Sequence, residues 1–274
     1  MNPIVEDRYT VPALTRGLQL LMHFSRNERE LTGAELARRL TAPRASVFRL
    51  LHTLEQLGFV ERVGDSSSYR LGIAVLRLGF EYLASLELTE HGRPVLDTLR
   101  DATGYAAHLV VRDGTEVVFI AKAPGNQASF HSIQVGARLP AHATVLGRAT
   151  LSGFDIPTLT ALFGNAPLPT FTPQTPNTVK KLKAMIDADR ARGYGISEGG
   201  YESGISTIAA AVRNERGDVC AAVSITVPAQ QIEAGAQSSL ARHVCDAAAQ
   251  LSARISHLPS RNSAPRHLPH RLAA

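Results

Sequence analysis

Apolar residues recur at helical spacing in three segments near the start of the chain. The first covers residues 12–25, and the second begins at Thr32, which has the spacing of a capping box with Glu35. The third lies between Pro43 and Gly58, residue types typical of the first turn of a helix and of the position just after its end. Its apolar positions form one stripe: Val47, Leu50, Leu51, Leu54 and Leu57. The pattern predicts three helices with only a short break between the second and the third.

Two short strands are predicted after the third helix. They cover residues 59–62 and 68–71, and the Gly-Asp-Ser-Ser sequence between them is typical of a turn. Three helices followed by such a hairpin make a winged helix-turn-helix, which we place at residues 11–72. A dense apolar pattern then predicts a linker helix at residues 73–88 that packs against another surface, such as a second copy of the chain.

The sequence pattern in the second half of the chain predicts β-hairpins separated by groups of helices. Strands at residues 107–111 and 117–122 flank an Asp-Gly turn, a third strand is expected at 130–135, and a second hairpin covers 205–227. Helices are predicted at 95–102 after a break at the Gly-Arg-Pro sequence 92–94, and at 145–152, 156–163, 177–192 and 229–257. This order indicates an α+β domain with an antiparallel sheet over residues 89–257, and residues 258–274 are expected to be a disordered basic tail.

The polar side of the third predicted helix carries side chains suited to reading DNA. Opposite its leucine stripe lie Arg44, Ser46, Arg49, His52 and Thr53. Arginine near the start of such a helix can donate two hydrogen bonds to guanine, and the hydroxyl groups can bond a base or a phosphate. Arg38 and Arg70 are placed to hold the DNA backbone on either side. The alternative is a three-helix packing module whose polar face is solvated.

Composition and charge narrow the class of protein. With 274 residues, 44% of them apolar and 19% charged, the chain is long and apolar enough for about two globular domains. Its two cysteines exclude a disulfide framework, and since neither a membrane-spanning run nor a signal sequence is visible, we expect a cytoplasmic protein with no membrane partner. The net charge of +5 is mostly arginine, which suits phosphate binding but is equally explained by GC-rich coding. Residues 1–72 hold ten basic and eight acidic residues, and residues 254–274 hold four arginines and no acid.

These motifs, in this order, resemble the IclR family of bacterial transcription regulators. Residues 11–18 resemble the opening of the family, 36–40 and 43–54 its helix-turn-helix core, and 69–72 the exit of its wing. In the second half the similar segments are 136–148, 193–196, 204–210 and 221–225. The resemblance implies a winged helix-turn-helix, a linker helix and a C-terminal antiparallel-sheet (GAF/PAS-like) effector-binding domain. It also implies a homodimer or homotetramer that binds a double-stranded DNA operator, as repressor or activator.

The resemblance further implies a pocket for a small carboxylate effector. One wall would be Leu146, Gly147 and Arg148, and the facing polar positions would be Ser197, Thr207, Ser224 and Thr226. Arg148 and the backbone amides at the start of a helix are suited to binding an anion. The sequence of residues 139–144 resembles the branch of the family that senses aromatic acids and β-ketoadipate-type intermediates. The family often has arginine at position 206, proline at 211 and an acid at 197, where this chain has Ser, Ala and Ser. The alternatives are locally bonded strand hydroxyls and a solvated arginine.

Other chemistry is not expected from this sequence. It contains no phosphate-binding loop, no dinucleotide fingerprint and no nucleophile–base pair with supportive spacing, so neither an enzyme nor a cofactor is expected. His108, His131 and His142 are possible metal ligands, but core or surface histidines explain them better and no metal site is expected. Two alternatives to a regulator stay open: an enzyme that uses the C-terminal domain as its active site, and a structural dimerisation protein with a vestigial helix-turn-helix.

Overall fold

The computed structural model describes residues 9–25, 27–84, 87–125, 133–202, 204–228 and 234–255. The chain divides into two compact units, Met1–Ser85 and Leu86–Ala274, and each has a hydrophobic core of its own. The division falls within the residues predicted as linker helix. The predicted tail, residues 258–274, lies outside the described residues.

The first unit consists of helices and a small antiparallel sheet. Its elements are α1 (Pro12–Met22), β1 (Leu31–Thr32), α2 (Gly33–Arg39), α3 (Arg44–Gln56), β2 (Val60–Arg62), β3 (Ser68–Leu71) and α4 (Ala74–Ala84). The predicted hairpin is present and has a third strand, since the sheet order is β1-β3-β2 and Leu31 pairs with Tyr69. The winged helix-turn-helix is therefore confirmed, with a wing anchored by the residues just before α2.

Local sequence explains where the helices of this unit begin and end. The capping box is confirmed, because Thr32 Oγ1 accepts a hydrogen bond from the Glu35 amide at 3.2 Å and Glu35 Oε2 accepts one from the Thr32 amide at 2.8 Å. Gly58 has a φ of +74°, which glycine adopts without strain, and it stops α3. Leu57, expected in the buried stripe, is 60% exposed because it lies past the last turn, whereas Val47 and Leu51 are buried.

The second unit is built on a six-stranded antiparallel sheet of order β6-β5-β4-β9-β8-β7. Its elements are α5 (Glu87–Thr103), β4 (Ala106–Asp113), β5 (Glu116–Ala123), β6 (Arg138–Pro140), α6 (Val145–Thr150), α7 (Ile156–Phe163), α8 (Val179–Arg192), β7 (Gly195–Glu198), β8 (Ile205–Arg213), β9 (Val219–Pro228) and α9 (Ala234–Arg254). Helices α5 and α9 contact each other and the sheet, while α6 contacts strands β8 and β9 and packs against α8. The antiparallel α+β class is confirmed.

Two predictions for this unit differ from the structure. The break expected at residues 92–94 is absent: α5 runs through Pro94, because burial of Leu88, Val95, Leu96 and Leu99 offsets the roughly 3 kcal/mol that an interior proline costs. The strand predicted at 130–135 lies partly outside the described residues, and its described part, 133–135, is not strand. The edge strand is β6 instead. Of the helix predicted at 229–257, the described part is α9.

Candidate DNA-reading helix and ligand cavity

Helix α3 presents its predicted DNA-reading residues on one outer face. Val47 and Leu51 are buried and fix the orientation of the helix, so Arg44, Arg49, His52 and Thr53 are exposed and Ser46 is half-buried. Within the described part of the chain, Arg44 and Arg49 form no ion pair, and Thr53 Oγ1 donates to the Arg49 carbonyl at 2.9 Å. This leaves two guanidinium groups with their donors directed outward.

The arginines beside this helix are not equally available to phosphate. Arg38 is exposed and, among the described residues, has no carboxylate partner. Arg39 instead makes two hydrogen bonds to Glu28, at 2.9 and 2.5 Å, and Arg70 Nε lies 2.5 Å from Glu61 Oε1. Arg38 is therefore the better placed of the flanking residues, and the charge of Arg70 is partly neutralised.

Phe48 is an exposed residue of α3 that was not among the predicted DNA-reading residues. Its side chain is 60% exposed, four residues after Arg44 and four before His52, so it lies on the same face. An apolar side chain there can contact the methyl group of thymine. Its signal in the sequence was an aromatic residue outside the leucine stripe.

The second unit contains a cavity of about 160 Å³ between the sheet and α6. Thr207 and Thr226, which pair across β8 and β9, form part of its floor, and Leu146 of α6 lies among its walls. The remaining lining comes from Phe119, Ile133, Leu139, Thr144, Val145, Ser197, Gly200, Tyr201, Glu202 and Ile205. Four of the seven effector residues expected from the family resemblance thus come together: Leu146, Ser197, Thr207 and Thr226.

Three of the expected effector residues lie outside this lining. A side-chain carbon at Gly147 would fall 1.9 Å from the Ala141 carbonyl oxygen, so glycine is needed for close packing, and its amide donates to Thr144 Oγ1 at 3.1 Å. Arg148 is 2% exposed; its Nε donates to Asp189 Oδ2 at 2.6 Å and its Nη2 to the Ile196 carbonyl at 2.9 Å. Arg148 therefore binds α6 to α8 and β7, and is neither the solvated residue nor the cavity cation that were considered. Ser224 is fully buried.

The cavity is short of positive charge. Among its described lining residues, Glu202 is the only one with a formal charge. His108, which packs edge-on against Phe119 with ring centroids 5.5 Å apart, is also neutral, because burial lowers its pKa to about 4 and Lys122 adds to that effect. The described lining thus offers hydroxyl groups and apolar walls, and no guanidinium.

Gly200 and Tyr201, which follow β7, lie in the cavity lining and are tied to a neighbouring loop. The carbonyl of Gly200 accepts hydrogen bonds from the hydroxyls of Thr172 at 3.2 Å and Thr175 at 2.8 Å, and the Gly200 amide donates to Ser197 Oγ at 3.0 Å. The rings of Phe171 and Tyr201 lie 4.9 Å apart. These contacts place Tyr201 in the cavity wall, which no local sequence pattern indicated.

The described residues give no support for metal chemistry. Within them, no three His, Cys, Asp or Glu side chains come close enough to hold a metal ion, and His131 lies outside them. His142 Nε2 donates a hydrogen bond to the Pro169 carbonyl, 2.8 Å away, and burial lowers the pKa of His142. Burial also raises the pKa of the Cys220 thiol to about 11.

Among the helices that the structure describes, none has the length and apolar character that crossing a bilayer requires.

Comparison with known proteins decides the family. A model of the IclR helix-turn-helix domain matches residues 13–64, and a model of the C-terminal domain of bacterial IclR transcriptional regulators matches residues 80–253. The chain belongs to the IclR family. This IclR-family chain is 34% identical to the Pca regulon regulatory protein of Pseudomonas putida over 78% of its length and 73% of that protein. It is 29% identical to the transcriptional repressor IclR of Escherichia coli K12, over 81% and 82% of the two chains.

Solved structures show the same architecture. A transcriptional regulator from Rhodococcus sp. RHA1 superimposes with a TM-score of 0.79 at 30% identity, covering 90% of this chain and 99% of that one. An IclR homologue of Microbacterium hydrocarbonoxydans, solved with 4-hydroxybenzoate, has a TM-score of 0.77 at 23% identity over 90% and 100%. The curated relatives are named as regulators and repressors, and this IclR-family chain is a transcriptional regulator.

Proposed function

We propose that this chain binds operator DNA through α3 and its wing, and senses a small organic acid in the cavity of its second unit. The single observation that carries the proposal is that one chain holds both an arginine-bearing exposed face on a helix-turn-helix and a cavity with apolar walls and several hydroxyl groups. In a homo-oligomer, the acid would favour one of two arrangements of the helix-turn-helix units and so alter their fit to successive major grooves.

The surface of α3 supports sequence-specific rather than merely electrostatic binding. The first 72 residues carry only two more basic than acidic side chains, so a general positive field is weak. Arg44 and Arg49, by contrast, form no ion pair with the described residues and lie on a helix face that a major groove accepts. We assign base contacts to Arg44, Ser46, Arg49, His52 and Thr53, and phosphate contacts to Arg38 and, more weakly, Arg70.

The volume and the lining of the cavity favour a monocarboxylate whose apolar part is about as large as one benzene ring. Its volume of about 160 Å³ is close to the ~150 Å³ of an engineered cavity that holds benzene. Since no cation is present among its described lining residues, a second carboxylate would be poorly neutralised, and Glu202 would oppose it. An aromatic acid such as 4-hydroxybenzoate, found in the Microbacterium homologue, thus fits better than a β-ketoadipate-like diacid. Leu146, Ser197, Thr207 and Thr226 would contact it.

A homo-oligomer is supported by the apolar faces that the first unit leaves exposed. Leu14, Leu18 and Met22 form an exposed row on α1, and Leu76 and Phe80 share a face of α4, while Leu78 is exposed on the other side of that helix. Apolar side chains in such rows usually mark an interface. We propose a dimer or tetramer that covers them.

Binding to the chain's own upstream DNA tests the first part of the proposal. Fluorescence anisotropy of a labelled upstream fragment would compare the wild type with Arg49→Ala and with Arg93→Ala, which removes the same charge from an exposed site in the second unit. Loss of a base-reading arginine costs 1–3 kcal/mol, so Arg49→Ala should weaken binding about 5- to 150-fold, while Arg93→Ala should stay within about twofold. Equal effects of the two variants would contradict the assignment of α3.

A further inference from the structure

A pair of buried polar groups lies next to the ligand cavity with no hydrogen-bond partner. Within the described part of the chain, neither His108 Nδ1 nor Ser224 Oγ has a donor or acceptor in reach, although His108 is 5% exposed and Ser224 is fully buried. The two residues face each other across β4 and β9. Buried polar groups are rarely left unsatisfied, since they forfeit their hydrogen bonds to water, so this pair calls for a partner.

The strand register places the pair on the cavity side of the sheet. Thr226 lines the cavity, and Ser224 is two residues earlier on the same strand, hence on the same face and about 7 Å further along it. His108 shares that row through its pairing with Ser224. Phe119 pairs with Val110, one row beyond, and also lines the cavity. The row of His108 and Ser224 thus lies between two rows that reach the cavity.

The chemistry of the pair suits an uncharged hydroxyl group. Burial keeps His108 neutral, so one ring nitrogen can accept a hydrogen bond, while Ser224 Oγ can donate or accept. A hydroxyl group donates once and accepts as well, which matches both atoms. The nearby cation, Lys122, is already bonded to the Gln134 side chain at 2.8 Å and to the Ile133 carbonyl at 3.3 Å, so a carboxylate at this row would lack a free counter-charge.

We propose that His108 and Ser224 form an inner subsite that takes the hydroxyl group of a hydroxy acid, with the carboxylate held near Thr207 and Thr226. The ring of Phe119 lines the cavity and packs edge-on against His108, so a ligand would reach the pair by displacing this ring. The ~7 Å between the two rows is comparable with the span of a benzene ring substituted at both ends, so a 4-hydroxylated aromatic acid bridges them. This inference rests on the proposed acid-sensing function and specifies the class of acid.

Calorimetric titration of the full chain with matched acids tests the subsite. The probes are benzoate against 4-hydroxybenzoate and pentanoate against 5-hydroxypentanoate, each pair differing by one hydroxyl group. We expect at least one hydroxylated acid to bind about tenfold more tightly than its parent, the worth of one buried hydrogen bond. Ser224→Ala should reduce that preference to below about threefold.

The chain offers a matched control in Ser206. It is also buried, and its Oγ also lacks a partner among the described residues, but it precedes Thr207 on β8 and so lies on the opposite face of the sheet. Ser206→Ala should keep the full hydroxyl preference. Should Ser224→Ala not fold, His108→Phe provides the same test while keeping an aromatic ring against Phe119.

The possible outcomes distinguish failure of the hydroxyl subsite from failure of the proposed sensing of small acids. Equal affinity for both members of every pair would overturn the subsite while leaving acid sensing intact, and a structural water would then account for the two groups. Equal weakening of benzoate and 4-hydroxybenzoate by Ser224→Ala would place the carboxylate at this row and also overturn it. Failure of all four acids to bind would overturn the sensing of small acids and the subsite with it.

Discussion

The buried ion pair of Arg148 and Asp189 makes a sharp prediction about stability. Arg148 is 2% exposed and its guanidinium bonds to Asp189 and to the Ile196 carbonyl, so Asp189→Asn would leave a buried positive charge without its counter-ion. Removing one partner of such a pair costs about 3–5 kcal/mol. We take about 3 kcal/mol, since the asparagine carbonyl still accepts a hydrogen bond.

Calorimetry of the unfolding transition of the second unit measures this effect. For a unit of this size, 1 kcal/mol lowers the melting temperature by about 2–4 °C, so Asp189→Asn should lower it by about 6–12 °C. Asp187→Asn is the matched control: it lies on the same helix and pairs with Lys183 at the surface, where such a pair contributes only about 0.3–0.5 kcal/mol. Its melting temperature should fall by less than about 2 °C.

A small effect of Asp189→Asn, no larger than that of Asp187→Asn, would refute this reasoning. Arg148 would then be free to serve the ligand, as the family resemblance implied. A double variant, Arg148→Met with Asp189→Leu, should recover much of the loss, because apolar side chains of similar volume often replace a buried ion pair without cost.

Two further predictions concern pH and assembly. The pKa of His108 is about 4 in the folded chain against 6.5 when unfolded, so the unfolded state binds more protons between these values. Lowering the pH from 6.5 towards 4 should therefore reduce the free energy of unfolding by roughly 3 kcal/mol. Denaturant titrations at several pH values should show this loss in the wild type and not in His108→Phe. The same pH dependence in both would argue against a neutral buried histidine. Phe80→Glu should reduce the oligomer measured by light scattering, because Phe80 is 63% exposed on α4, whereas Ile156→Glu on the second unit should not.

The sequence predicted best what depends on neighbouring residues. The capping box, the leucine stripe of α3, the glycine that ends it and the hairpin turns are local, and the structure has each of them. The exposure of Leu57 was mispredicted because a helical stripe does not show where its helix stops. Pro94 was mispredicted because the burial that outweighs it comes from elements that lie elsewhere in the chain.

The cavity was predicted only in part, because its chemistry is decided at long range. The family resemblance indicated Thr207 and Thr226, and the strand register brings them together. No pattern could show that Arg148 is bound by Asp189, 41 residues away, or that Tyr201 lines the cavity. The polar character of His108 was visible, but its lack of a partner appears only when the sheet is assembled.

The central claim is that occupation of the cavity by an acid and binding of DNA are coupled in one chain. The most direct test measures the dissociation constant for the upstream DNA with and without saturating 4-hydroxybenzoate, and that for the acid with and without DNA. Linkage requires both ratios to be the same, and allosteric coupling is typically 5- to 150-fold. We predict equal ratios within that range; a DNA affinity unchanged by an acid that demonstrably binds would contradict the account.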